Sequence, residues 1–447
     1  MQKIAILGFG KEGKAIFHYF SRKGVLKDNQ IYILTKDKDT DALGLDAANE
    51  NVFAKYGPDY LEDLAGYDQI CRSPGFSINS PEIKSALKAH KDVTSATKLF
   101  FKEISHLNKK PITVGVTGTK GKGTVSTLLF DILKKAEKKV ALVGNIGKPA
   151  LEILPEINSL DYIILELSSF QLHDLTVSPN LAVVLDISPD HLDAHKNLRE
   201  YTGAKTNIAS HQTPTDAVVY LATSKTAKSV ARKSLGQKIP VDPDAFKMFS
   251  QSQVHIPGSH TFLNTVMAAT AASYLQISEQ SIRKAVGEFT GLPHRLEKVQ
   301  NPKHQEIVFY NDSYATNPES TAAAVKSFEE SLILIAGGKD KGLKYKSLAK
   351  ALKHSSTERV ILFGENRKKI EHAIKSKWKG DMEFAKDLSG ALYLAVNYAK
   401  QLNLSHRHIG LATNKVVILF SPASASFDMF ANATERGEKF KDLVKNL

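Results

Sequence analysis

The amino-acid sequence predicts an α/β protein of three domains. These are a Rossmann-like domain over residues 1–94, a central P-loop ATPase-type domain with a mixed or parallel sheet over 95–297, and a C-terminal Rossmann-like, doubly wound domain over 298–447. Three observations carry this. A strand-like opening, K-I-A-I-L-G-F-G-K-E-G, runs into Gly8-x-Gly10-x-x-Gly13. A second glycine-rich turn, V-G-V-T-G-T-K-G-K-G-T-V-S-T, follows the β-branched run that begins at Ile112. From about residue 298, apolar strand-like runs alternate with helical spacing a second time. A chain of 447 residues has room for about three ordinary domains.

In the first segment, a helix to about Lys23 and a strand Gln30 to Leu34 follow the glycines, and the strand ends in Thr35-Lys36-Asp37. Alone, this is a dinucleotide fingerprint, and its simpler meaning is glycines that allow close helix–strand packing. Ile70 leads into the turn Arg72-Ser73-Pro74-Gly75, and a helix spans Pro81 to about His90. A boundary near 94 then precedes a connector to the second glycine loop.

That loop has the chemistry of a phosphate cradle. Gly118 and Gly121 let successive N–H groups curl toward one hollow, and the helix behind them, read from Val125 to Lys134, adds unpaired N–H groups and partial positive charge. Lys122 supplies a cation for the terminal phosphates of ATP. The match to G-x-x-x-x-G-K-[ST] is incomplete, because Val116 holds the first glycine's place and Gly123 the hydroxyl's, with Thr124 one step late. Beyond a strand at Val140 to Val143, the turn Gly144-Asn145-Ile146-Gly147 offers an asparagine to a ligand. Glu166 ends the apolar strand from Tyr162, where a carboxylate needs a metal or a base. His191 follows the strand Leu181 to Leu185 among acids, so it and Glu166 are read as one shared metal site. Alone, such a histidine is more often packing or a cap. Lys205 alone reads as a surface lysine, the Ala-rich stretch Val266 to Ala272 as a packed helix, and Gly291 to Glu297 as a hinge whose Arg295 clamps phosphate.

In the last segment, strands are expected at Ile307 to Tyr310, Leu332 to Ile335, Arg359 to Phe363 and Lys415 to Phe420. Three polar turns sit where such sheets bind ligands: Asn311-Asp312-Ser313, Gly337 to Gly342, and Ser421 to Ser426.

Composition excludes several classes. With 42% hydrophobic and 24% charged residues and no low-complexity tract, the chain is globular. No apolar run approaches the ~20 residues of a membrane span. The chain enters a strand at once without an apolar leader, and its single Cys71 forbids a disulfide framework, so the expected compartment is the cytoplasm. The net charge of +13 is spread along the chain among acids, which argues against nucleic acid and for anionic small substrates.

Read together, G-T-K-G-K-G-T, G-N-I-G-K-P-A-L, L-E-L-S-S-F-Q-L, D-I-S-P-D-H-L-D, G-L-P-H-R-L-E, N-D-S-Y-A-T-N, the Gly337–Gly342 loop, and S-P-A-S-A-S-F-D with E-R-G-E-K-F resemble the Mur ligases of peptidoglycan synthesis. The likeness is strongest to their D-glutamate-adding branch and covers nearly the whole chain. It implies ATP-driven, acyl-phosphate amide formation that adds D-glutamate to UDP-N-acetylmuramoyl-L-alanine in a monomer. It also implies Mg2+ held by Glu166, His191, a carbamylated Lys205 and Thr124. Gly118, Thr119, Lys120, Gly121, Lys122, Gly123, Thr124, Asn264, Arg295 and Asp312 would bind ATP. Lys11, Glu12, Thr35, Lys36 and Ser73 would face the UDP end, Asn145, Ser168 and Gln171 the muramoyl end, and Lys341 and Ser426 the glutamate carboxylates. Lys122, Glu166, His191, Lys205 and Arg295 would form the catalytic set. The chain departs from the pattern at Gly123, at Tyr314 for a lysine, at Thr261 for an asparagine, and at Ala433 for an aromatic residue. The alternatives are a Mur or folylpolyglutamate-type ligase with another amino acid or acceptor, and a non-catalytic nucleotide-binding relative.

Overall fold

A computed structural model describes residues 1–190, 194–408 and 415–447. Three sheets follow one another along the chain. The first has the order Val52–Tyr56, Gln30–Thr35, Lys3–Leu7, Gln69–Arg72, Asp92–Ser95, with every pairing parallel. The second, also wholly parallel, has the order Gln237–Val241, Ala217–Leu221, Leu181–Val184, Ile112–Thr117, Tyr162–Glu166, Val140–Gly144. In the third, Glu297–Val299 pairs antiparallel with Ile307–Asn311. Val416–Phe420, Leu332–Gly337, Thr357–Phe363 and Asp381–Phe384 follow in parallel.

The interior strands are unbroken apolar runs because helices cover both faces of a parallel sheet. Ile163, Ile164 and Leu165 are fully buried in the second sheet, as are Leu332 to Ala336 in the third. Within each sheet, parallel pairing also places the carboxyl ends of the strands other than Glu297–Val299 on one edge, and the crossover loops there collect the polar turns. Two compact units result: Met1–Phe249 with Leu263–Val286, and Ser250–Phe262 with Gly287–Leu447. The first two sheets share the first unit. Among the described residues, no helix is long and apolar enough to cross a membrane.

Several boundaries move from their sequence-based positions. The segment after residue 94, expected as a connector, is the edge strand Asp92–Ser95 followed by a helix, Ala96–Ser105, capped by the Ser95 hydroxyl on the Lys98 N–H at 3.3 Å. Its buried Leu99, Phe100 and Ile104 give it the helical stripe. The cradle helix starts at Lys122 rather than Val125, since left-handed Gly121 (φ +85°) turns the chain directly into it. The Ala-rich helix extends to Ser259–Tyr274. The last sheet gains an antiparallel edge strand, Glu297–Val299, that three residues cannot announce by periodicity.

Candidate active site: a phosphate cradle and its neighbours

The cradle sits at the carboxyl end of Ile112–Thr117, a central strand of the second sheet. Gly118 has φ +154°, and a β-carbon there would lie 2.6 Å from Leu185 Cβ, so the loop can pass this neighbour only as glycine. Gly121 is left-handed, and a β-carbon on it would collide with the Asn264 side chain. That contact brings Asn264 to the loop's rim. Thr119 is anchored twice: its N–H donates to Asp186 O at 2.8 Å and its hydroxyl to Ser188 O at 2.9 Å. Lys120 is exposed. Lys122, Gly123 and Thr124 form the first helical turn, whose N–H groups precede the first intrahelical bond, Val125 N to Gly121 O. The Lys122 ammonium bonds Gly118 O at 3.1 Å and Thr119 O at 3.0 Å, folding it over the hollow.

Lys205 reaches the same place from behind. It lies on the helix Leu198–Ser210, is 1% exposed, and donates from Nζ to Gly118 O at 2.9 Å and Thr117 Oγ1 at 3.3 Å. The surface-lysine reading is therefore wrong. Burial, with the Lys122 charge beside it, pulls its amine down to about 7, against the opposing pull of Asp190 and Glu166. Tyr201, one turn earlier, places its ring 4.9 Å from that Nζ and its hydroxyl 3.2 Å from Thr119 Oγ1. Sequence reasoning gave Tyr201 no role, although its i, i+4 spacing from Lys205 is visible. His195 was also missed. It is buried, with Nε2 3.0 Å from Ser169 Oγ and its ring 5.3 Å from that of Phe170.

Glu166 is buried at the end of its strand and accepts a 2.8 Å hydrogen bond from Asn145 Nδ2. Asn145, expected at the substrate, thus orients the expected metal ligand. Among the described residues no three His, Cys, Asp or Glu side chains gather around a metal position. His191 lies outside the described residues, so the expected pairing with Glu166 rests on sequence alone. A buried carboxylate and a buried amine flanking an anion cradle are a donor set that suits magnesium once the amine is carbamylated.

Toward the first sheet, Gln171 links the two halves of the expected substrate path. Its Nε2 donates to Glu12 Oε1 at 3.2 Å, and its Oε1 accepts from the Ser168 N–H and hydroxyl at 3.0 Å each. Burial raises the Glu12 carboxyl, with the Gln171 bond opposing. Ser73 donates from its hydroxyl to Gly8 O at 3.4 Å, beside the first glycine turn. Thr35 ends its strand half-buried, while Lys11 and Lys36 are exposed at that strand-end edge. Gly13 serves packing, since a β-carbon there would strike Gly8 O. Arg72, unassigned by sequence, is 2% exposed. It bonds Phe76 O at 3.2 Å, Phe170 O at 3.1 Å and the Asp174 carboxylate, which Lys98 also meets at 2.7 Å.

The second unit holds the other expected residues. Arg295 is exposed and lies 5.3 Å above the Tyr314 ring, within a loop where His294 and Leu296 are left-handed (φ +61° and +46°). Asp312 accepts from Ser421 Oγ at 2.8 Å and Leu296 N at 3.3 Å, and burial pushes its carboxyl up to about 7 despite these bonds and Arg295. Ser426 is buried, and exposed Lys341 places Nζ 5.9 Å from the Phe427 ring. Thr261, in the asparagine's place, donates to Pro257 O at 3.1 Å.

Three family models match in order: a MurD-like Mur ligase N-terminal domain at residues 2–95, the Mur ligase middle domain at 116–242, and the Mur ligase glutamate ligase domain at 294–404. The chain is 34% identical to UDP-N-acetylmuramoylalanine–D-glutamate ligase of Acetivibrio thermocellus, over 100% of this chain and 97% of that protein. It is 32% identical to the protein of that name from Clostridium acetobutylicum, with the same coverage. Among solved structures, the UDP-N-acetylmuramate–alanine ligase MurC of Thermotoga maritima superposes with TM-score 0.57 at 18% identity, covering 99% of each chain. Mycobacterium tuberculosis folylpolyglutamate synthase complexed with ADP gives 0.56 at 14% identity, over 78% of this chain and 93% of that one. The structural likenesses show the fold, and the sequence likeness shows the family: the chain belongs to the Mur ligases.

Proposed function

We propose that the protein is an ATP-dependent ligase that joins D-glutamate to UDP-N-acetylmuramoyl-L-alanine, making a peptidoglycan precursor. The observation that carries this is identity over the whole chain with relatives bearing that activity in their names. The cradle supports it chemically. The muramoyl-linked carboxylate attacks the γ-phosphorus of ATP, ADP departs, and an acyl phosphate forms. The glutamate amine then adds to the acyl carbon, and the tetrahedral intermediate expels phosphate while the ammonium loses its proton.

In this scheme Lys122 and the N–H groups of Lys122, Gly123 and Thr124 hold the phosphates, with Gly118, Thr119, Lys120 and Gly121 shaping the loop. Asn264 and Asp312 contact the adenosine part, and Arg295 clamps phosphate. Magnesium, held by Glu166, His191, a carbamylated Lys205 and Thr124 or water, would neutralise charge on the transferring group. Asn145 fixes Glu166. Tyr201 and the Gly118 and Thr117 oxygens fix Lys205. Lys11, Glu12, Thr35, Lys36 and Ser73 take the UDP end, Ser168, Gln171 and Asn145 the muramoyl end, and Lys341 and Ser426 the glutamate carboxylates. We assign the domains to 1–94, 95–297 and 298–447, the compartment to the cytoplasm and the working state to a monomer.

Phosphate release from ATP with UDP-N-acetylmuramoyl-L-alanine, screening D-Glu, L-Glu, D-Asp and L-Ala, tests the proposal. Turnover with D-Glu is expected. No turnover with any acceptor would overturn the catalytic reading, and turnover with L-Glu alone would overturn the amino-acid assignment.

A further inference from the structure

We propose that Arg436 is the positioning residue of the amino-acid site, a buried cation that locks three loops and biases them toward a dicarboxylic acid. This rests on the glutamate-site reading of Lys341 and Ser426 above. Arg436 lies on the helix Ala433–Lys445 and is 0% exposed. Its Nε donates to Ser313 Oγ at 3.1 Å and its Nη2 to Ser313 O at 2.8 Å. Its Nη1 donates to Ser424 O at 3.0 Å and Ala425 O at 2.9 Å.

All four bonds end on neutral oxygens. The Asp428 carboxylate acts on this charge without bonding it and does not offset the burial, which pulls the guanidinium down to about 10, an expensive arrangement if packing were its only use. The bonds also fix backbone geometry. A trans peptide sets each C=O opposite the next N–H. Turning the Ser424 and Ala425 carbonyls to the guanidinium therefore directs the Ala425 and Ser426 N–H groups away from it. The loop needs such restraint, because Ala423 just before it is left-handed at φ +57°.

The same grip reaches the Gly337–Gly342 loop. Lys339 N donates to Ala425 O at 3.0 Å, and Asn366 bridges Gly338 N (3.0 Å) and Ser424 Oγ (2.7 Å). A β-carbon on Gly338 would stand 3.2 Å from Arg436 Nη1. Ser313, Gly338–Lys339 and Ser424–Ala425 are thus tied into one hydrogen-bonded assembly around a positive charge, with Lys341 and Ser426 on its two loops. Lysine cannot reproduce it, since a point ammonium does not span both Ser313 and the Ser424–Ala425 carbonyls.

The test uses the full chain and its R436M, R436K and S313A variants. Steady-state kinetics give KM for glutamate, ATP and the UDP-linked substrate, and hydrogen exchange reads the amides of the three segments. In R436M, KM for glutamate should rise about 30-fold while the other two stay within roughly threefold. The kcat/KM preference for glutamate over glutamine, whose side chain is uncharged, should fall by about tenfold, with R436K recovering part of it. Exchange should quicken in the three segments and not in the first unit. A common rise of all three KM values, or an unchanged glutamate KM, overturns the proposal. Should R436M fail to fold, S313A decides it: that variant removes one acceptor, and an unchanged glutamate KM refutes the clamp. A wild type that turns over no amino acid refutes the ligase reading, and the exchange data then judge the clamp alone, unchanged rates overturning it.

Discussion

Replacing Gly121 with alanine separates the geometry of the cradle from its composition. Gly121 holds φ +85°, a left-handed conformation that adds roughly 1–2 kcal/mol for a residue with a β-carbon. The new methyl would meet the Asn264 side chain, and moving that side chain off its rotamer adds about 0.5–1.5 kcal/mol. The free loop can relax away from both penalties, whereas nucleotide binding has to restore the curl. The sum, about 1.5–3.5 kcal/mol, then appears in the dissociation constant as a weakening of roughly 10- to 400-fold. Titration calorimetry with ADP reads it directly. Gly123→Ala is the control. Gly123 lies inside the helix Lys122–Lys135, where alanine favours the helix by ~1 kcal/mol and leaves the curl alone, so nucleotide affinity should change by less than about threefold. Gly121→Ala binding ADP as tightly as the wild type would refute the claim that left-handed backbone and Asn264 contact together shape the site.

Other expectations follow from the same geometry. Lys205→Ala should reduce turnover on the order of a hundredfold, with part regained on adding formate or acetate; wild-type turnover would refute the carbamate role. Tyr314→Ala removes the ring under Arg295, and a cation–π contact of ~0.5–1 kcal/mol predicts a KM for ATP raised about two- to fivefold, measured by phosphate release. For Asp174, burial raises the carboxyl, but Arg72 and Lys98 outweigh it and the group ends below its ordinary value. Its stabilisation is therefore complete above the unfolded value of about 4 and is lost as pH falls through the lowered folded value. Asp174→Asn should flatten the acid limb of a thermal-melting series against pH, and an acid limb identical to wild type would remove Asp174 as its source. Arg72→Met should lower stability by about 3 kcal/mol, since it leaves a half-paired carboxylate under cover; denaturant melts that match the wild type would contradict this.

What the sequence made legible, and what it hid, divides along physical lines. The glycine turns and the cradle were readable because left-handed backbone demands glycine, and because strand, turn and helix lie within one short stretch. Lys205 was not readable from its surroundings. Its helix is mostly polar, and the burial that pulls its amine down comes from loops far away in sequence, with only the family pattern marking it. Asn145 shows the same limit more sharply. A polar residue in a glycine turn advertises a ligand, yet its Nδ2 donates to Glu166, twenty-one positions on. Arg436 stood in a segment recognised as a motif, and nothing local says that a charged residue between Glu435 and Gly437 is buried completely. A residue on a glycine turn or strand end can be guessed from its own neighbourhood, whereas the burial of Lys205 and the residues that orient others cannot. Orientation is a long-range property of parallel sheets, whose strand ends meet in space while their sequences lie far apart. The residues invisible to local reading all act this way, on other protein groups: Tyr201 on Lys205 and Thr119, Arg72 on Asp174, and Asn366 and Arg436 on the Ser424–Ala425 turn.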